Sequence, residues 1–308
     1  MEKFAIRVIT YNLLSNTFST QQQFPFSQPY YLDFETRLFK TLKLIDSWMK
    51  VNFLICLQEL SSDWLNFLEP YFKKNNYMFY YNCYNLNTLG VGIAYPINHY
   101  DLIEHDVYKC SKYIENLVSD NEYISKQLFK ATQKDNTMLS LYLCPKYYGK
   151  DTGKKIMISN YHMPCKFMYE YFMVSHILAV KDRIKYLQDL WKVEKVILVG
   201  DFNTIPIKRT YNLIKGNIYD DTFLQKNNIK DLTLLESAHF KLHNKEPNYT
   251  NVNLKDKFIN CIDYIFISDN IDVMSCITGL TVSNPNITSY PNGLCPSDHV
   301  PLSASLLI

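Results

Sequence analysis

The 308-residue chain reads as an α/β (α+β) protein, a single domain over residues 1–308. Three observations predict this. Apolar stretches of strand length alternate with longer stretches of helical period. The alternation occurs in both halves as strand–helix–strand units that end in carboxylates. Polar residues sit at strand ends spread over the whole length, so one site would draw on all of them. With 47% hydrophobic residues, the chain can bury a full core.

Residues 4–12 alternate apolar and polar side chains, the mark of a strand. Ile6, Val8 and Thr10 share one face, which brings Asn12 to the carboxyl end. Over residues 35–50, Leu38, Leu42, Ile45 and Met49 recur at helical spacing. The continuous apolar run 53–57 then ends in Gln58-Glu59, a buried strand with a carboxylate at its tip. Strands at 137–143 and 155–161 flank the segment PKYYGKDTGKK. A long helix carries Met173, Ile177, Val180, Ile184, Leu187 and Trp191, and the strand 196–199 runs into Gly200-Asp201. Strands at 261–267 and 300–307 close the chain.

Charge and cysteine usage narrow the function. A net charge of +2 and a pI near 8.0 fall below the range of basic nucleic-acid-binding domains, so any phosphate-binding groove is local. The eight cysteines form no C-x-x-C pair and several lie in apolar runs; they read as reduced thiols. The N-terminus lacks the apolar core of a signal peptide, and no stretch of eighteen uncharged apolar residues occurs. The expectation is a cytoplasmic protein with no membrane partner, acting as a monomer, for which the sequons at Asn248 and Asn286 are irrelevant.

Six short segments place acid, amide or imidazole groups beside apolar strands: TYNLL (Asn12), LQEL (Glu59), SNYHMP (His162), VGDFNTIP (Asp201, Asn203), CIDYIF (Asp263) and PSDHVPL (Asp298, His299). Each alone has a plain structural reading. Asn12 suits a turn, Asp201 a helix cap, and Asp298-His299 a surface loop. Together they are the donor set for a hard divalent cation and a phosphate oxyanion, being oxygen and imidazole without thiolate.

In this order and at these separations the segments resemble the motifs of the exonuclease-endonuclease-phosphatase (DNase I-like) superfamily. Within it they are most similar to the branch of Ccr-type deadenylases, nocturnin and Angel. TYNLLSN, Arg37 before LICLQEL, GDFNTIPIKRTYNLI and the EPNYTN/IDYIFIS pair carry that likeness. The resemblance implies a four-layered α/β/β/α sandwich, two mixed sheets flanked by helices, with the site at one end. It also implies roles. Glu59 would be the principal Mg²⁺ ligand, with the amide oxygen of Asn12 beside it and Asp298 as a further metal or outer-shell ligand. Asp201 would orient or deprotonate water, and Asn203 and His162 would contact phosphate. His299 would stabilise the phosphoryl charge, held in its tautomer by Asp263. Tyr249, Asn251 and Arg209 would meet substrate, Arg209 having a structural helix role as its plain reading.

The implied function is a Mg²⁺-dependent phosphodiesterase, with Mn²⁺ as substitute, acting as a 3′-to-5′ exoribonuclease on single-stranded RNA or oligoadenylate. Alternatives within the superfamily are a 2′-5′ oligoadenylate phosphodiesterase, a DNA-repair endonuclease or phosphotyrosyl-DNA hydrolase, and an inositol-phosphate phosphatase. A catalytically dead nucleic-acid-binding module is the non-enzymatic one. Two departures bear on substrate: Met-Pro-Cys follows His162, and GVGIAYP stands where deadenylases carry a D-G-C-A-x-F-like segment. In the hairpin PKYYGKDTGKK, lysines 146, 150, 154 and 155 could meet phosphates and Tyr147 or Tyr148 stack a base, although a solvated tip is the simpler reading.

Overall fold

A computed structural model of the chain describes residues 3–217, 222–279 and 289–308, so the sequon at Asn286 lies outside the described residues. In chain order the strands are β1 (Ala5–Asn12), β2 (Leu54–Gln58), β3 (Tyr77–Tyr84), β4 (Leu89–Pro96), β5 (Tyr100–Lys109), β6 (Thr137–Tyr147), β7 (Lys150–Asp151) and β8 (Ile156–His162). They continue with β9 (Val196–Asp201), β10 (Glu236–Ser237), β11 (Asn251–Asn253), β12 (Phe258–Asn260), β13 (Asp263–Ile267), β14 (Asp272–Thr278) and β15 (Leu302–Leu307). One sheet has the order β14-β15-β1-β2-β4-β3 and the other β10-β13-β9-β8-β6-β5, with β7 paired on β6 and a separate β11–β12 hairpin. β1 runs parallel to β2 and β8 to β9, each within an otherwise antiparallel sheet, so both sheets are mixed.

Side-chain alternation assigns the layers. Ile6, Val8, Leu54 and Cys56 of the first sheet meet Ile156, Ile158, Ile197 and Val199 of the second in the inter-sheet core. The other face of the first sheet, with Ile9, Tyr11, Ile55 and Leu57, packs on the helices Phe34–Met49 and Ser62–Lys74. Met157, Tyr161, Val196 and Leu198 pack on the helices Glu122–Thr132 and Glu170–Trp191. The central strands are thus covered on both faces, which is why β2 and β9 read as unbroken apolar runs. The result is the four-layered sandwich.

A polar pin fixes how the sheets align. Gln58 Nε2 donates to Thr10 Oγ1 at 2.9 Å and to Asn160 Oδ1 at 2.8 Å. Asn160 Nδ2 in turn donates to the carbonyls of Leu57 and Gly92, both at 2.9 Å. Left unpaired in this core, each group would cost about 1–3 kcal/mol, so the two sheets are held in one register. That register brings the carboxyl ends of β1, β2, β8 and β9 to the same end of the sandwich.

Several strand boundaries differ from the sequence expectation by one to four residues, and two of the shifts have a clear local cause. The backbone N–H groups of Ile262 and Asp263 both donate to Thr250 Oγ1, so the ladder begins at Asp263 and not at 261. Pro301 has no N–H to give, and the last strand starts after it, at Leu302. The lysine- and tyrosine-bearing hairpin sits at the far end from the carboxylates. It adjoins Ile156 and Phe4, whereas the site adjoins His162, about 20 Å further along β8. Lys146 is engaged by Asp101 at 2.7 Å, and Tyr148 is exposed. The hairpin is a solvated tip remote from the site.

Candidate active site

Strand register builds the site. Asp201 ends β9, and its two lateral partners are His162, the last residue of β8, and Asp263, the first residue of antiparallel β13. Asn12 ends β1 opposite Gln58, and Glu59 follows one residue later. Asp298 and His299 arrive just before β15, where His299 bridges to Asn251. All six segments therefore converge on one end of the sandwich.

Local backbone geometry aims the groups. Glu59 has φ 57°, Asn203 φ 46° and Leu14 φ 60°, left-handed positions that cost roughly 1–3 kcal/mol each in residues other than glycine. Gly200 has φ 142°, and a Cβ there would lie 1.8 Å from the carbonyl oxygen of Tyr161, so this position admits glycine alone. Hydrogen bonds hold the strained residues: Ser15 N–H donates to Glu59 Oε2 at 2.7 Å and Asn203 N–H to Asp201 Oδ1 at 2.9 Å. Arg37, fully buried, donates to the carbonyls of Leu13, Leu14 and Pro296, tying the segment after β1 to the Pro296–His299 segment.

Asn12 joins the two key carboxylates. Its Nδ2 donates to Glu59 Oε1 and to Asp201 Oδ2, each at 3.0 Å, while Oδ1 accepts from Leu14 N–H at 2.9 Å. The amide orientation follows from these partners, since an N–H needs the oxygen and a carboxylate needs the nitrogen. Asn12 thus presents its nitrogen to Glu59, where the resemblance implied its oxygen.

Two imidazoles face Asp201. Nε2 of His162 and Nε2 of His299 each lie 3.6 Å from Asp201 Oδ2. Nδ1 of His299 donates to Asp263 Oδ2 at 2.8 Å, with both side chains almost fully enclosed. Burial opposes a charge on His299, but Asp263, Asp298 and Asp201 together outweigh it and hold its pKa well above the ordinary histidine value. Burial and then Asp263 push Asp201 up to about 6, with His299 and His162 acting in the opposite direction. Burial also raises Asp298, which accepts from Asn251 Nδ2 at 3.0 Å.

The donor set suits a cation. Glu59, Asp201, Asp263 and Asp298 bring four carboxylates against two imidazoles, and ligand atoms of Asp201, Asp263 and His299 lie within 4.8 Å of one another. Glu59 is half-buried, and Asp298 keeps 15% side-chain exposure, so both carboxylates are reachable from solvent. Oxygen and imidazole donors with surplus negative charge match a hard divalent ion.

The other expected residues are placed as follows. Asn203 Nδ2 donates to the Met163 carbonyl at 2.7 Å. Asn251 reaches the cluster through Asp298, and Tyr249 packs beside Val252, Tyr290 and Val300. Arg209 starts the helix Arg209–Lys215, donating to Glu170 at 3.2 Å and lying 5.4 Å over the Tyr171 ring, contacts that tie this helix to the one that begins at Glu170. Sequence reading missed Tyr84 and Asn136 beside His162, Thr250 beneath Asp263, and Ser297, whose hydroxyl donates to the Asn12 carbonyl at 2.7 Å. Ser297 and Thr250 lie inside the segments PSDHVPL and EPNYTN already singled out, whereas Tyr84 and Asn136 lie outside all of them.

Known proteins resemble the chain throughout its length. "Carbon catabolite repressor protein 4 homolog 4" of Arabidopsis thaliana is 22% identical, over 98% of this chain and 77% of that protein. "Probable CCR4-Not complex 3'-5'-exoribonuclease subunit Ccr4" of Vairimorpha ceranae is 24% identical over 62% of this chain, and the match spans 41% of that protein. Among solved structures, ANGEL2, described as a 2',3'-cyclic phosphatase, superposes with a TM-score of 0.77 at 18% identity, covering 99% of this chain and 96% of that one. The human Nocturnin catalytic domain gives 0.66 at 17% identity, with 99% and 96% covered. These structural likenesses establish the sandwich fold. The profile of the Endonuclease/Exonuclease/phosphatase family matches residues 9–299, from inside β1 to His299. The chain belongs to that family and is one of its hydrolases.

Proposed function

We propose that the chain is a Mg²⁺-dependent phosphodiesterase that shortens single-stranded RNA or oligoadenylate from the 3′ end, with Mn²⁺ able to replace Mg²⁺. The observation that carries the chemistry is the meeting of Asn12, Glu59, His162, Asp201, Asp263, Asp298 and His299 at one end of the sandwich. Relatives of the chain that are named as probable 3′-5′ exoribonuclease subunits support the substrate.

Glu59 and Asp298 would hold the cation, with Asn12 fixing Glu59 from behind. When bound, it neutralises phosphate and the charge that gathers on its oxygens. Asp201 takes a proton from the attacking water as the new P–O bond forms; the bond to the 3′ oxygen breaks, and that oxygen leaves as the alcohol by taking a proton from solvent. Asn12 Nδ2 donates to the Oδ2 that both imidazoles face, and so orients the carboxylate at the oxygen lying between them. His299 stays protonated against Asp263 and donates to a phosphoryl oxygen; His162 and Asn203 supply further donors. Tyr249 would stack an unpaired base, a contact worth about 1–3 kcal/mol.

The test is a comparison of 5′-labelled oligo(A), oligo(U), duplex DNA with an abasic site, and a soluble inositol polyphosphate. A ladder shortening on oligo(A) is expected. Turnover confined to the abasic duplex or the inositol phosphate would overturn the RNA reading.

A further inference from the structure

We infer that Tyr84 and Asn136 are positioning residues that hold His162 as the neutral Nε2–H tautomer, so that it offers a donor without charge where His299 offers a cation. The inference deepens the proposed function and rests on it for its effect on rate, though not for the tautomer itself.

The donor inventory fixes each hydrogen in turn. Asn136 lies 2.8 Å from the His162 carbonyl oxygen, which can only accept, so the amide atom there is Nδ2. The same Nδ2 lies 3.3 Å from Tyr84 Oη and supplies its second hydrogen to that oxygen. The tyrosine hydrogen then goes elsewhere, and the remaining partner among the described residues is His162 Nδ1 at 3.4 Å. A nitrogen that accepts carries no hydrogen, which leaves the hydrogen on Nε2. Nε2 is the atom that faces Asp201 Oδ2 at 3.6 Å.

The three residues come from both sheets: Tyr84 ends β3, Asn136 precedes β6, and His162 ends β8. Thr137 Oγ1 donates to Asn82 Oδ1 at 2.9 Å across the same junction, so the alignment is fixed beside the triad. All three are buried, with exposures of 7%, 6% and 6%. Burial, together with the nearby Glu59 and Asp201, keeps the Tyr84 hydroxyl protonated, as a donor must be.

His162 and His299 therefore differ by their second partners. A carboxylate behind His299 favours the imidazolium, whereas a phenol behind His162 supplies a hydrogen and no charge. Both rings aim Nε2 at one oxygen of Asp201, and a second cation there would neutralise the base that must accept a proton.

The tautomer can be read without turnover. In the full-length, ¹⁵N-labelled, metal-free protein, long-range ¹H–¹⁵N correlations of the seven histidines give each ring's pattern, with His162 identified by its loss in His162→Gln. The expected result is an unprotonated Nδ1 and a protonated Nε2, with that pattern lost in Tyr84→Phe and in Asn136→Ala. Tyr84→Phe keeps the ring in place, and near-wild-type circular dichroism would show that it folds. A protonated Nδ1 in the wild type, or an unchanged pattern in folded Tyr84→Phe, overturns the inference. On oligo(A), Tyr84→Phe should lower kcat on the order of tenfold, the effect of about one hydrogen bond, with KM unchanged. A rise in KM alone would count against it. Failure of the wild type to cleave oligo(A) would reject the proposed function, and the NMR pattern would still decide the tautomer.

Discussion

Asp263 Oδ2 accepts from His299 Nδ1 at 2.8 Å, and the two side chains come from segments separated by 36 positions. Thr250 Oγ1 holds the Asp263 backbone from below, and Ser297 Oγ holds that of His299. The pair is thus a rigid unit, and each member matters through the other. Asp263→Asn and His299→Ala should each reduce kcat strongly, and the double variant should be little worse than the poorer single one. Steady-state rates of the four proteins in this cycle check the prediction; losses that multiply would break the pairing.

Glu59 should govern metal binding. The wild type should gain thermal stability on adding Mg²⁺ at concentrations above the dissociation constant, because the ion binds the folded chain. Glu59→Gln should lose that gain. Without metal its Tm should stay near that of the wild type, since relief of repulsion among four clustered carboxylates offsets the acceptor lost to Asn12 or Ser15. Melting curves with Mg²⁺ and with EDTA give both comparisons.

Gly200→Ala should destabilise the fold by about 3 kcal/mol or more. The added Cβ meets the Tyr161 carbonyl oxygen at 1.8 Å, a backbone atom of the neighbouring strand, at φ 142°. Urea unfolding would read the loss as a lower midpoint at unchanged slope. An undiminished midpoint would show that β8 and β9 can part without cost.

Much of this was legible in the sequence because it depends on local pattern. The helix expected over 35–50 is Phe34–Met49, and the apolar run before Glu59 is β2. Both owe their form to one-dimensional periodicity, and the carboxylates stand out as polar residues at the ends of apolar strands. Tyr84 and Asn136 carry no such mark. Tyr84 is one of 25 tyrosines and Asn136 stands just outside a strand, so their value arises only when the two sheets meet. The orientation of Asn12 was hidden for the same reason, being set by Leu14, Glu59 and Asp201 at once. For the basic hairpin the simpler reading, a solvated tip, is the one the fold bears out, although composition says nothing about which end of the sandwich a loop occupies.

Lys181, fully buried, makes stability depend on pH. Its ammonium donates to the Ile214 carbonyl at 2.6 Å and to that of Thr233, while burial lowers its pKa to about 7. Unfolding returns it to the ordinary lysine value of about 10.4, so the unfolded chain binds more protons between those pH values. The burial penalty is full below pH about 7 and fades as pH rises. Wild-type stability relative to Lys181→Met should therefore increase from pH 7 to 9. A difference that stays flat would show that the two carbonyls keep the ammonium charged throughout.

Glu59 and a divalent cation acting together on a phosphodiester are the centre of the proposed chemistry. The most direct measurement is the rate of shortening of 5′-labelled oligo(A) by the wild type in Mg²⁺, by the wild type in EDTA, and by Glu59→Gln in Mg²⁺. A ladder is expected only in the first, with the other two slower by at least about a thousandfold, the order seen for groups that stabilise transition-state charge. Hydrolysis at near-wild-type rate in EDTA, or by Glu59→Gln, would contradict the account.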